Sequence, residues 1–123
     1  MMEHITIRQM KQLSAKTELL ALKTELENYL KSKYTLVRKE VPYNKIMDTK
    51  REFRADYMVH DFREGSNILI EINGGQFIGG RHTRGGEGYE RDLTKINMAQ
   101  QRGFRVYQFT YQMLKRQEYK NYL

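Results

Sequence analysis

An α/β fold with a mixed central sheet flanked by helices follows from three features of the 123-residue chain. Leu19, Leu22, Leu26, Tyr29 and Leu30 recur at helical spacing. Two period-two runs, Glu52–His60 and Ile68–Asn73, stand on either side of Gly65. A glycine-dense stretch is then followed by a second helical pattern and by the strand-like FRVYQFT. The order reads α-β-β-β-α-β, which calls for a sheet covered by helices.

The length suits one domain, 1–123, large enough to bury roughly two thirds of its unfolded surface without staples. Residues 1–13 read as an arm or a short first helix. Ser14 to Lys31 is an amphipathic helix, with Ser14 as its N-cap. Tyr34 to Val41 is a strand ending at the only proline, Pro42, and Asn44 to Lys50 is a polar loop. The core spans 14–114, and Tyr111 to Leu123 is a short terminal helix or a tail, with 115–123 as the tail proper.

The hairpin register follows from the side-chain pattern. With Phe62–Gly65 as a four-residue turn, Val59 faces Ile68, Tyr57 faces Ile70 and Ala55 faces Ile72. That face is apolar throughout and is the core face. On the other, Met58 meets Leu69, Asp56 meets Glu71 and Arg54 meets Asn73. A one-residue slip would mix the two faces. In the second helix, Glu87 to Arg102, the residues Tyr89, Leu93, Ile96 and Gln100 share a face, and Gly103 ends it. Phe104 to Thr110 is the last strand.

The formal charge is +7, from 22 Lys and Arg against 15 Asp and Glu. That favours a polyanionic partner, nucleic acid foremost. No run approaches ~18 apolar residues, so no membrane span or membrane partner is expected. There are no cysteines, which excludes thiolate metal sites and fits a reducing cytoplasm.

Asp56 and Glu71 are the residues most able to carry chemistry. Directly opposed residues have Cβ atoms roughly 4.5–5.5 Å apart, so two carboxylates there need a cation, a shared proton or full exposure. Mg²⁺ favours oxygen ligands and commonly takes one or two carboxylates; an exposed face neutralised by Arg54 is the plainer alternative. The Asn73 amide can bond a phosphate or serve as ordinary strand-end chemistry, and the same holds for Gln76. The loop Gly74–Gly88 holds seven of the nine glycines. Its Arg81, His82 and Arg84 suit phosphate, though it matches no Walker or dinucleotide pattern. Lys95 sits three residues from Asp92, either as a surface ion pair or reaching a scissile phosphate from its helix.

These residues, in this order, resemble the PD-(D/E)XK nuclease superfamily. More narrowly, RADYMV, ILIEINGGQF, GGRHTRG, GYERDLTKINMA and GFRVYQFT are similar to small phage-encoded endonucleases of the very-short-patch-repair and Holliday-junction-resolvase-like branches. The resemblance covers about Ser14 to Leu114. It implies a restriction-endonuclease-like core and a Mg²⁺- or Mn²⁺-dependent endonuclease acting on DNA, structure-selective for branched or junction DNA. Asp56 and Glu71 match the metal ligands, the Ile72 carbonyl a third, and Glu18, in SAKTE, the acid contributed by the first helix. Arg54, Arg81, His82, Arg84 and Arg91 form the expected DNA-contacting set. Asn73 stands where the superfamily has lysine, so that role is absent, moved to Lys95, or taken over by Gln76 or His82. A homodimer would suit a junction substrate, and a phage-encoded enzyme would work in the host cytoplasm. The competing expectation is a non-catalytic DNA-binding or accessory domain on the same fold.

Overall fold

The computed structural model describes residues 5–73 and 87–123. Its elements are helix α1 (Ile7–Lys33), strand β1 (Val37–Pro42), a 3₁₀ turn (Tyr43–Lys45), strands β2 (Arg54–Asp61) and β3 (Ser66–Asn73), helix α2 (Glu87–Gln101), strand β4 (Arg105–Thr110), the short helix α3 (Tyr111–Lys115) and a final 3₁₀ turn (Glu118–Asn121). Most of the loop Gly74–Gly88, including Gln76, Arg81, His82 and Arg84, lies outside the described residues. No helix among the described residues is long and apolar enough to cross a membrane.

The sheet order is β1-β2-β3-β4. β1, β2 and β3 are antiparallel neighbours, and β4 joins β3 in parallel after the α2 crossover, so the sheet is mixed as expected. The hairpin register agrees near the turn, where Val59 pairs Ile68, Met58 pairs Leu69 and Tyr57 pairs Ile70, but the ladder stops there: the expected pairs Asp56–Glu71, Ala55–Ile72 and Arg54–Asn73 are not formed. Gly65, at φ 65, closes the turn through its N–H to the Asp61 carbonyl, a conformation that glycine enters without steric cost.

Both sheet faces are covered. On one, Leu26 and Leu30 of α1 meet Tyr57, Val59, Ile68, Ile70 and Phe109. Each such aliphatic side chain contributes roughly 1.5–3 kcal/mol by leaving water. On the other face, Val41, Tyr43, Phe53, Ala55, Met58 and Leu69 meet Ala99 of α2.

Two expectations about the helices need correction. Helix α1 begins at Ile7, not at Ser14. Thr6 is the N-cap, its hydroxyl accepting the Gln9 N–H at 3.0 Å while the Gln9 side chain accepts the Thr6 N–H at 2.9 Å. The apolar stripe marks only the part of the helix that packs on the sheet; Ile7, Met10 and Leu13 are exposed, so the first turns rest on capping and propensity alone. Residues 115–123 follow the short terminal helix and pack on the core, with Tyr119 and Leu123 buried in the α1-side cluster. Finally, the inward face of α2 is shifted round its axis: Tyr89, Leu93 and Gln100 are exposed and Ile96 is half-buried, whereas Ala99 is fully buried. Lys95 and Met98 face inward with it.

The alternation of faces breaks between Tyr57 and Ala55. The paired residues Val37 and Val59 belong to the α1 side, while the paired Val41 and Ala55 belong to the α2 side. Both steps are of even length, so regular pleating would have kept them together. Glu40, opposite this point, has φ 49, a left-handed backbone that rolls the strand over. Ala55 therefore does not join the core face with Tyr57 and Val59 as the simple alternation predicts.

Candidate active site

Asp56 lies where the sheet changes face. Its Oδ2 accepts the Ile72 N–H at 2.7 Å, a side-chain bond continuing the ladder beyond the last regular pair, Tyr57 with Ile70. In an extended strand the N–H and C=O of one residue point to the same side. The Ile72 carbonyl is therefore turned towards β2 as well. The other carboxylate oxygen, Oδ1, lies 3.4 Å from Nζ of Lys23 on α1. Both partners are about a quarter exposed, so this pair adds at most ~1 kcal/mol.

Glu71 is the one buried charged residue among those described, at 5% exposure. Two groups from the α2 side meet it. Lys95 Nζ donates to Oε1, and the Tyr43 hydroxyl lies 3.5 Å from Oε2. The Lys95 ammonium also stands 5.5 Å from the centre of the Tyr43 ring. Burial raises the Glu71 pKa above the ordinary carboxylate value; the bond and charge of Lys95 pull against this, and nearby Asp56 adds to the rise. The Tyr43 hydroxyl is pushed far up by burial and by the Glu71 charge, so it remains a donor at any working pH.

The structure thus joins Lys95 to Glu71 and Asp56 to the Ile72 backbone, with the two acids near enough for the Asp56 charge to act on Glu71. The lysine comes from α2 and pairs with Glu71, not with Asp92. Glu18 is not brought to the acids. Its carboxylate lies 3.1 Å from Lys115 and bonds Tyr111, and these partners hold its pKa low. Among the described residues no three His, Cys, Asp or Glu side chains form a metal-holding group. Asn73 is exposed, its amide donating to Gln108 at 3.3 Å. Arg54 is exposed at the start of β2, opposite Pro42. Arg91 lies over the Phe53 ring, 5.4 Å from its centre. No family model, curated protein or solved structure matches the chain.

Sequence reasoning missed Lys23 and Tyr43. Lys23 carried a signal: it lies four residues after Leu19 and three before Leu26, so a cation stands on the apolar stripe itself. A charged residue at such a position needs a partner across the interface. Tyr43 carried none, since it follows Pro42 in a non-periodic stretch.

The donor set consists of hard oxygens on adjoining strands, which suits Mg²⁺ or Mn²⁺ and not a thiophilic ion. Two ammonium groups carry the same charge as one divalent ion. The lysines therefore already satisfy the electrostatic demand that the paired acids set up.

Proposed function

We propose that the chain is a metal-dependent DNA endonuclease on a restriction-endonuclease-like core. The reading rests on one observation: Asp56 and Glu71 stand on neighbouring strands, near enough for the charge of one to act on the other, with a lysine from the following helix on the second acid. Asp56, Glu71 and the Ile72 carbonyl would hold Mg²⁺ or Mn²⁺, which when bound polarises a phosphate and acidifies a water. Lys95, kept beside Glu71 and the Tyr43 ring, takes the position that Asn73 cannot fill, donating to a phosphate oxygen as negative charge grows on it. Lys23 does the same from the α1 side of Asp56. Burial makes Glu71 hold a proton more readily than an exposed glutamate, so activity should rise with pH as that carboxyl ionises. The +7 charge favours a polyanionic substrate, and a branched DNA is the substrate class that the sequence resemblance implies.

The test is a cleavage panel of single-stranded, duplex, flap and four-way-junction DNA with Mg²⁺, Mn²⁺ or EDTA. Cleavage that needs the metal, and that Asp56→Ala and Glu71→Ala abolish while DNA binding persists, is the expected result. Chelator-insensitive cleavage would refute it. A second reading, a DNA-binding domain without catalysis, draws on the complete pairing of both acids by Lys23 and Lys95. It expects binding but no cleavage of any substrate.

A further inference from the structure

An open groove of about 780 Å³ lies between the approach to β2 and α2. One wall is the segment that leads into β2, with Lys50, Arg51 and Phe53. The other is the first half of α2, with Gly88, Arg91 and Thr94. These three helix residues recur every third position and share one face of the helix. Glu52 and Glu90 also border the groove, so it is not uniformly basic; what distinguishes it is the placement of its two arginines.

Phe53 is buried at 5% exposure and held edge-on to Tyr43 at 5.8 Å between ring centres. The guanidinium carbon of Arg51 lies 4.8 Å from the Phe53 ring centre, and that of Arg91 5.4 Å. The ring attracts both cations through its quadrupole and brings two like charges to one point. Among the described side chains, which do not include that of Glu87, neither arginine has a carboxylate within ion-pair distance, in contrast to Lys23, Lys39, Lys95, Arg105 and Lys115. Neither guanidinium makes a hydrogen bond or ion pair among these described side chains, and both hold donors suited to phosphate.

The groove is linked to Glu71 through α2 and Tyr43. Arg91 and Lys95 are four residues apart on α2, one helical turn or about 6 Å. Tyr43 links them from below, touching Phe53 on one side and Lys95 with Glu71 on the other. A chain of phosphates lying along α2 would place one at Arg51 and Arg91 while its neighbour reaches Lys95.

We propose that Arg51 and Arg91, ordered on Phe53, form a backbone-phosphate subsite for a nucleic-acid strand, one helical turn along α2 from Lys95. This rests on the DNA reading but not on cleavage. It concerns phosphates only, so it predicts no base preference.

The test is DNA binding in EDTA, with a labelled single strand and a labelled duplex, titrated with salt. Each lost phosphate contact removes about 0.7 from the log–log salt slope on a single strand and about 0.9 on a duplex. Arg51→Gln with Arg91→Gln should therefore flatten the slope by roughly 1.4 to 1.8 and weaken binding roughly 25- to 60-fold at 0.1 M salt. Arg63→Gln, in the exposed turn at the opposite end of β2, should leave the slope unchanged. An unaltered slope in the double variant overturns the proposal, as does an equal fall in Arg63→Gln or no binding by the wild type. Wild-type binding with the expected variant losses, but no cleavage with any metal, would keep this subsite and refute the nuclease reading. Cleavage with an unaffected double variant would do the reverse.

Discussion

Replacing Lys95 with methionine tests how Glu71 keeps its charge inside the protein. Methionine retains the length and apolar stem of lysine and removes only the ammonium. Glu71 has a side chain 7% exposed, against 18% for Lys95, so its carboxylate would be left without a cation in a site with little water. Breaking a buried pair from one side costs about 3–5 kcal/mol. The Tyr43 hydroxyl, at 3.5 Å, offsets a small part, and about 3 kcal/mol is the loss expected at neutral pH. For a domain of this size that corresponds to a fall of roughly 10–15 °C in the melting midpoint. The pH dependence is the sharper part. The folded Glu71 pKa is already raised by burial, and the variant loses the chief influence that lowers it. A carboxyl that titrates higher in the folded than in the unfolded state binds more protons when folded, so stability falls as pH rises from the unfolded pKa through the folded one. Lys95→Met should therefore be least destabilised near pH 4.5 and increasingly so towards pH 8. Urea unfolding across that range measures it. Glu71→Gln combined with Lys95→Met should recover most of the loss, since the charge and its partner leave together. A loss independent of pH, or none at pH 7, would show that Lys95 does not hold the Glu71 charge.

Two other outcomes follow from the same site. Mg²⁺ or Mn²⁺ at a hundredfold excess over its dissociation constant should stabilise the wild type by about 2.7 kcal/mol, and Asp56→Asn with Glu71→Gln should abolish that shift in thermal unfolding. Tyr43→Phe keeps the ring beneath Lys95 but removes the donor to Glu71; it should cost about 1 kcal/mol in urea unfolding and move the acid limb of the cleavage profile to higher pH.

What the sequence made legible was what periodicity encodes. The hairpin register could be read because slipping it would have mixed Ile68 and Ile70 with Leu69 and Glu71. The stripe Leu19–Leu30 located the packed part of α1, but the capped extension from Ile7 makes no apolar pattern and so left none to read. For α2 the apolar residues misled. Tyr89 and Leu93 suggested an inward face, whereas the inward face is the one carrying Lys95, because its stem covers Tyr43 and its ammonium meets Glu71. A buried ion pair reverses the usual rule that charge points outward, and one sequence cannot show the partner across 24 residues. The break of alternation at Asp56 was hidden for a similar reason: it arises from the backbone of Glu40 on the adjacent strand.

That break ties the β1–β2 ribbon to both layers of the fold. Its Val37–Val59 end is anchored in one hydrophobic layer and its Val41–Ala55 end in the other. Asp56 stands at the crossing and is tied to two elements at once, its carboxylate holding the Ile72 backbone of β3 and meeting Lys23 of α1.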